Sequence, residues 1–381
     1  MKIVVSLREP NLLSEYQLTF QNKFMGKVFM NLFLRTVSLA RFLVFNKVYV
    51  YYNTQKKVEV VYPTIIMANH VNEFDIPSMT YISRFVLGDS RYTIPAREDI
   101  LKKGFLVKEF EPKGFLKLVL RAIDASGIIP FLFRFVNAVG VKRPFRDNSR
   151  TLMKSGDFKN EIDKNWDILA AKVNEGNNLF LFPEGTYSYD GYPNPFRKGI
   201  TLFMKKVPNV SFNFIALTYD SLTNNKTDSH ITIGELVKPE FASDEEVLAF
   251  CRKRIGSMLV LTEGNLFSWT IFQDILIKGI TSENLFNKIH YFLEKLKLLK
   301  TIHISTKLIE GKFSNNLFKF LERATKEKFL RKEDNQYFSE PKLHEKPFEK
   351  TYKFKKQNPY LYHKNQLNFH AQKMEETWNQ L

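Results

Sequence analysis

Cysteine is all but missing from this chain: Cys251 is the single one in 381 residues. No disulfide can form within it, so a cross-linked scaffold and a paired-cysteine metal or redox motif are both excluded, and the composition fits a reducing compartment. Cys251 lies in a helical pattern over 245–255 and reads as core rather than as a nucleophile. Long uncharged apolar runs are missing too. None reaches the roughly 18 residues expected of a spanning helix. The best candidate, Phe115 to Gly140, is interrupted by Lys117, Arg121, Asp124 and Arg134, so no transmembrane helix is expected. The first apolar run, Ile3 to Val5, is too short for a signal peptide. Internal repeats, helix-turn-helix patterns, zinc-finger spacings and RNP-type motifs are likewise absent.

Acidic residues are outnumbered, 40 against 57 lysines and arginines, for a formal net charge of +17. Such a field attracts polyanions: nucleic acid, anionic lipid surfaces or anionic substrates. The charge is spread along the chain rather than gathered in one arm. With no nucleic-acid motif beside it, an anionic membrane surface is the expected partner and nucleic acid is not. A lysine-, asparagine- and phenylalanine-rich composition inherited from biased codons would give the same sign. With 44% hydrophobic and 14% aromatic residues, the chain can bury one large domain plus a helical extension.

Along the chain, Met25 to Lys47 has helical period, with Lys27, Asn31, Arg35, Ser38 and Arg41 on one stripe and Val28, Phe29, Leu32, Phe33 and Phe42 over the remaining surface. This is the pattern of an amphipathic helix in a membrane interface, or of a helix packed on a domain with its charged side in water. Strand-like runs follow at Val48–Tyr52, Val58–Tyr62, Thr64–Ala68, Tyr92–Pro95, Leu179–Phe182, Phe212–Thr218 and His230–Gly234, alternating with helical patterns. That alternation indicates an α/β class, a mixed central sheet flanked by helices. Phe115 to Gly140 reads as a membrane-contacting element or a buried helix pair, broken at Gly127 and Pro130. The expected divisions are an N-terminal amphipathic region over 1–55, an α/β domain over 56–255 and a helical, basic C-terminal extension over 256–381. Its tail from Arg331 is polar and reads as extended or partly disordered.

Two short strings carry chemistry. In Asn69-His70-Val71-Asn72-Glu73-Phe74-Asp75 a histidine stands five positions before an aspartate, just after a buried-strand run. Positions i and i+5 lie about 140° apart on a helix, so a turn between strand and helix must bring the two together. Asp75 then fits the N-cap, with Pro77 inside the next helix. A carboxylate on one ring nitrogen fixes the tautomer and stabilises the imidazolium as it forms, which suits a base acting on a hydroxyl. Capping alone would use the same residues. The second string, Phe182-Pro183-Glu184-Gly185-Thr186, places a glutamate in a Pro/Gly turn after another buried strand.

With both strings in this order, the chain resembles the glycerolipid acyltransferase family of glycerol-3-phosphate and 1-acylglycerol-3-phosphate acyltransferases. Asn69, His70 and Asp75 match its N-H-x-x-x-x-D motif, and Phe182, Pro183, Glu184, Gly185, Thr186 and Ser188 match its F-P-E-G-T-R-S motif. Ala96-Arg97-Glu98, Val141-Lys142-Arg143, Arg197-Lys198-Gly199, Phe214 to Leu217 and Ile231 to Val237 are similar to further conserved segments of that family, so the resemblance spans about residues 60 to 240. It implies transfer of a fatty acyl group from a thioester, on coenzyme A or acyl carrier protein, to a glycerolipid hydroxyl, with 1-acylglycerol 3-phosphate as the first acceptor to expect. It implies His70 as general base, Asp75 orienting it, Arg143 on the acceptor phosphate, and Glu184, Gly185, Thr186 and Ser188 at the substrate. No metal or cofactor beyond the acyl donor is implied, and the enzyme would sit on the cytoplasmic side of a membrane. Tyr187 stands where the family has arginine, and Asn137 where it has glycine. Glycerol 3-phosphate, another lysolipid or an aminolipid hydroxyl therefore stay open as acceptors. So do hydrolysis with water as acceptor, and a non-catalytic membrane-surface binding protein.

Overall fold

The computed structural model describes residues 45–52, 61–82, 91–110, 114–127, 130–131, 133, 137–141, 158–347 and 354–381. In chain order the first part holds β1 (Phe45–Tyr52), β2 (Thr64–Ala68), α1 (Asp75–Tyr81), β3 (Tyr92–Arg97), α2 (Phe105–Phe110), α3 (Gly114–Ser126), β4 (Ala138–Val141), α4 (Phe158–Asn174), β5 (Asn178–Leu181), α5 (Gly199–Lys206), β6 (Ser211–Asp220), β7 (Thr227–Val237) and α6 (Asp244–Ser257). The strands form one seven-stranded mixed sheet in the order β1-β7-β6-β2-β5-β3-β4. All neighbours run parallel except β6 and β7.

A parallel strand covered on both faces has no solvent side, so it reads as a continuous apolar run. Every residue of β2 is buried. Ile65 and Met67 point to one face, packing with Trp166 and Leu169 of α4, Phe203 of α5 and Cys251 of α6. Ile66 and Ala68 point to the other, with Ile82, Phe180 and Ile231. Cys251 is a core residue, as expected, and burial pushes its thiol up to about 12. The register sets up the site: Met67 of β2 pairs with Leu181 of β5, so the segments leaving these parallel strands emerge side by side.

Three expectations change. The helix over 25–47 lies outside the described residues except for its last three, and Phe45, Asn46 and Lys47 belong to β1 instead. Phe115 to Gly140 changes only in part: α3 ends before Gly127, whose φ is +69°, Pro130, Phe131 and Phe133 are helical again, and from Ala138 the chain enters β4 at the sheet edge. The tail after Arg331 is largely ordered. Beyond α6 the chain forms β8 (Val260–Leu261), α7 (Glu263–Thr270), β9 (Ile280–Thr281), α8 (Ser282–Leu299), β10 (His303–Ile304), α9 (Thr306–Ile309), α10 (Ser314–Lys326), β11 (Leu330–Glu333), β12 (Gln336–Ser339), α11 (Pro341–His344), α12 (Phe354–Gln357), α13 (Pro359–Gln366) and α14 (Ala371–Trp378). Large aromatic anchors account for the ordering. Trp269 and Phe292 stack at 5.3 Å, and Trp378 meets both edge-on. Tyr360 packs edge-on against Phe320. Among the described residues no helix is long and apolar enough to cross a membrane.

Candidate active site

Beyond Ala68 the chain leaves the sheet but stays tied to it. The Asn69 side chain donates to the Leu217 carbonyl at 2.9 Å and accepts from the Leu217 N–H at 2.7 Å, taking the place of a strand residue beside β6. The next residue is His70. A tight turn follows, in which the Asn72 side chain accepts from the Phe74 N–H and the Asp75 N–H bonds the Asn72 carbonyl. This turn folds Asp75 back onto His70, so that Oδ2 lies 2.6 Å from the imidazole Nδ1.

Asp75 is almost fully buried, with 1% of its surface exposed, while the His70 side chain is 20% exposed. Oδ2 also accepts from the Val71 and Asn72 N–H groups at 2.8 and 3.1 Å, and Oδ1 accepts from the Tyr219 hydroxyl at 2.9 Å. Asp75 is thus the first residue of α1 and not its N-cap, a position held by Phe74. Its carboxylate points back into the loop because two backbone donors and two side chains meet there. Burial raises the Asp75 carboxyl above its usual range, against the opposing pull of His70 and Tyr219. Burial, reinforced by the Asp75 charge, holds the Tyr219 phenol far above its ordinary value, so it remains a donor.

The second string comes in from β5. Glu184 lies inward with 2% exposure. Its Oε1 accepts from the His70 N–H at 3.1 Å and its Oε2 from the Asn194 N–H at 2.9 Å. Burial pushes this carboxyl up to about 8. Gly185 turns the chain at φ +71°, with its N–H bonded to the Phe182 carbonyl. The Thr186 carbonyl accepts from the Asn194 side chain at 3.2 Å. The Ser188 N–H donates to the His70 carbonyl at 3.1 Å, and its Oγ accepts from the Gly191 N–H at 2.8 Å. Both backbone groups of His70 are therefore held by the second string, which fixes the imidazole from behind.

Around the imidazole stand two aromatic rings. Phe182 stacks on it at 4.3 Å, and Tyr187 meets it edge-on at 5.7 Å. Nδ1 is engaged by Asp75, and among the described residues Nε2 carries no hydrogen bond. An imidazole so held, partly exposed and backed by a buried carboxylate, can accept a proton at Nε2.

The structure brings His70, Asp75, Glu184, Gly185, Thr186 and Ser188 into one site. Arg143 lies outside the described residues; β4, two residues before it, ends at Val141 on the edge of the sheet where β2 and β5 also end. Arg97 does not offer a free charge, since Asp99 takes its guanidinium through two bonds of 3.0 and 2.6 Å. Sequence reasoning missed Tyr219 and Asn194. Neither has a local pattern, because each reaches the site from another element. The stacking role of Phe182 was open to notice, since it is the last apolar residue before the Pro/Gly turn. Among the described residues, no group of three or more His, Cys, Asp or Glu side chains is placed to hold a metal ion.

No protein-family profile and no curated protein matches the sequence. Four solved chains match. One is the 1-acyl-sn-glycerophosphate (LPA) acyltransferase PlsC from Thermotoga maritima, at 18% identity and a TM-score of 0.40, covering 62% of this chain and 82% of that one.

Proposed function

We propose that this chain is an O-acyltransferase that moves a fatty acyl group from a thioester, on coenzyme A or acyl carrier protein, to a hydroxyl of a glycerolipid precursor. The observation that carries the reading is the 2.6 Å contact between His70 Nδ1 and the buried Asp75 carboxylate, with Nε2 left to the substrate side. Nε2 takes the proton of the acceptor hydroxyl while its oxygen bonds to the thioester carbonyl carbon. The tetrahedral oxyanion collapses, the C–S bond breaks, and the thiolate leaves with the proton held on His70. Asp75 supports the imidazolium between the two proton transfers. No acyl-enzyme forms.

The acceptor we take first is 1-acylglycerol 3-phosphate, with Arg143 on its phosphate by the resemblance of the motifs. One observation favours a second reading. Tyr187, not an arginine, stands against His70, which supplies an aromatic edge where a phosphate ligand would be charged. Lysolipids without a phosphate monoester fit that surface. A net charge of +17 supports action at an anionic membrane surface, and the single cysteine suits the cytoplasmic side of it.

Thiol release tests this over a panel of glycerol 3-phosphate, 1-acylglycerol 3-phosphate and other lysolipids. Release should depend on an acceptor and fall by about 10²–10⁴-fold in His70→Ala. Equal release without any acceptor would make the protein a thioesterase, and full activity in His70→Ala would remove the proposed base.

A further inference from the structure

Helix α13, nearly 300 residues along the chain from His70, touches the first string of the site and the loop that follows the second. The Tyr362 hydroxyl donates to the Val71 carbonyl at 3.1 Å. The Asn365 side-chain amide donates to the Asp190 carbonyl at 2.8 Å. Between these contacts Gly191, at φ +91°, lies so close that a Cβ there would fall 2.1 Å from the Tyr362 carbonyl oxygen. Tyr362 and Asn365 are buried, at 2% and 5% exposure.

Each bond ends one step from the machinery. Val71 follows His70, and its N–H is bonded to Asp75 Oδ2. Tyr362 therefore holds one side of a residue whose other side is held by the orienting carboxylate. Asp190 lies two residues beyond Ser188, whose N–H bonds the His70 carbonyl, and the Asp190 side chain accepts from the Tyr192 N–H at 3.1 Å. Helix α13 is in turn seated firmly. The Asn265 amide donates to the His363 carbonyl and to Gln366 Oε1, at 2.8 and 2.9 Å. His363 Nδ1 lies 2.8 Å from the Pro359 carbonyl and so carries the proton, leaving Nε2 to accept from the Ser221 hydroxyl at 3.2 Å. Before α13, Lys355 pairs with Glu73 of the His70–Asp75 loop.

We propose that Tyr362 and Asn365 are positioning residues of the acyl-transfer site, each fixing one of its two loops from the C-terminal extension. The inference rests on the acyl-transfer reading for its kinetic arm alone. Both bonds end on backbone carbonyls, so removing either leaves the composition of the site intact and lets one loop drift. A displacement of about 1 Å can cost up to 10²-fold in rate, so the effect belongs in kcat.

Tyr362→Phe and Asn365→Leu, in the full-length protein, test this together with Asn358→Ala, which removes the N-cap of α13 without touching either loop. Tyr362→Phe and Asn365→Leu should each lower kcat about tenfold, with the KM for the acyl donor within about twofold. Amide exchange should quicken over 70–75 in Tyr362→Phe and over 188–192 in Asn365→Leu, each loop separately. Asn358→Ala should lower Tm and keep kcat. Unchanged exchange in both loops would overturn the inference, and so would an equal loss of kcat in Asn358→Ala. The exchange arm needs no turnover. If the parent protein released no thiol with any acceptor, the acyl-transfer reading would fail while exchange still judged the two contacts.

Discussion

His70 meets Asp75 because a turn of five residues closes on a carboxylate that two backbone N–H groups already hold. The motif spacing shows that such a pair is possible. It does not show the Tyr219 hydroxyl on Oδ1, because that group arrives from β6, 144 residues along the chain. Glu184 illustrates the same limit. The Pro/Gly turn is legible, yet the inward direction of the side chain depends on the His70 and Asn194 N–H groups that it accepts. Its burial has a consequence for pH. With a carboxyl raised from 4.5 to about 8, the folded state keeps a proton that the unfolded chain has already released. Stability from this group is therefore full below its unfolded value of 4.5 and is lost as pH rises through about 8. Glu263, raised by burial to about 7, acts in the same direction. Thermal melts of Glu184→Gln between about pH 5 and 8 should show a shallower fall of Tm with pH than the parent. A slope equal to the parent's would contradict this account of Glu184. Where Glu184 is protonated, the substitution should still cost about 1 kcal/mol, since an amide oxygen can serve only one of the two N–H donors.

Strands β2, β5 and β6 are readable from their apolar runs, because continuous burial leaves a continuous pattern. What could not be read was adjacency. Only the parallel register, Met67 beside Leu181, shows why two strings 114 residues apart share a site. In Phe115 to Gly140 the break at Gly127 is legible, whereas the short edge strand at its end is not, because its pairing with β3 leaves no local pattern; Phe115 is 80% exposed on α3. Gly199, in the Arg197-Lys198-Gly199 segment, has a packing role. A Cβ there would lie 2.4 Å from the Trp166 ring, at the contact between α4 and α5. Gly199→Ala should therefore destabilise by about 1–3 kcal/mol through overpacking, and adding Trp166→Leu should recover part of that loss in denaturant melts. No loss in the single variant would show that the α4–α5 contact is looser than described.

Across the whole molecule, two cores are joined through buried polar groups as well as through α13. Lys307 of α9 pairs with Asp228 of β7 at 2.7 Å and approaches Glu263 of α7 at 3.7 Å, while both carboxylates are nearly inaccessible. Burial would lower the Lys307 amine, yet Asp228 and Glu263 prevail and raise it. Lys307→Met leaves two carboxylates without their cation and should cost about 2–3 kcal/mol, read as a lower denaturant midpoint. A midpoint equal to the parent's would contradict this description of the junction. Composition indicated a second core large enough for an extension, but not the ordering of its tail. Polar sequence with scattered tyrosine and tryptophan resembles a disordered segment, and Tyr360, Tyr362 and Trp378 become anchors only where another element supplies their pockets.

The central claim is that His70, oriented by Asp75, takes the proton of a lipid hydroxyl during acyl transfer. The most direct measurement is acceptor-dependent thiol release by the parent protein and by His70→Ala, with the fold of the variant confirmed by its thermal melt. The account predicts release that requires a glycerolipid acceptor and falls at least about 10²-fold in the variant at nearly unchanged Tm. Undiminished release from a folded His70→Ala protein would contradict it.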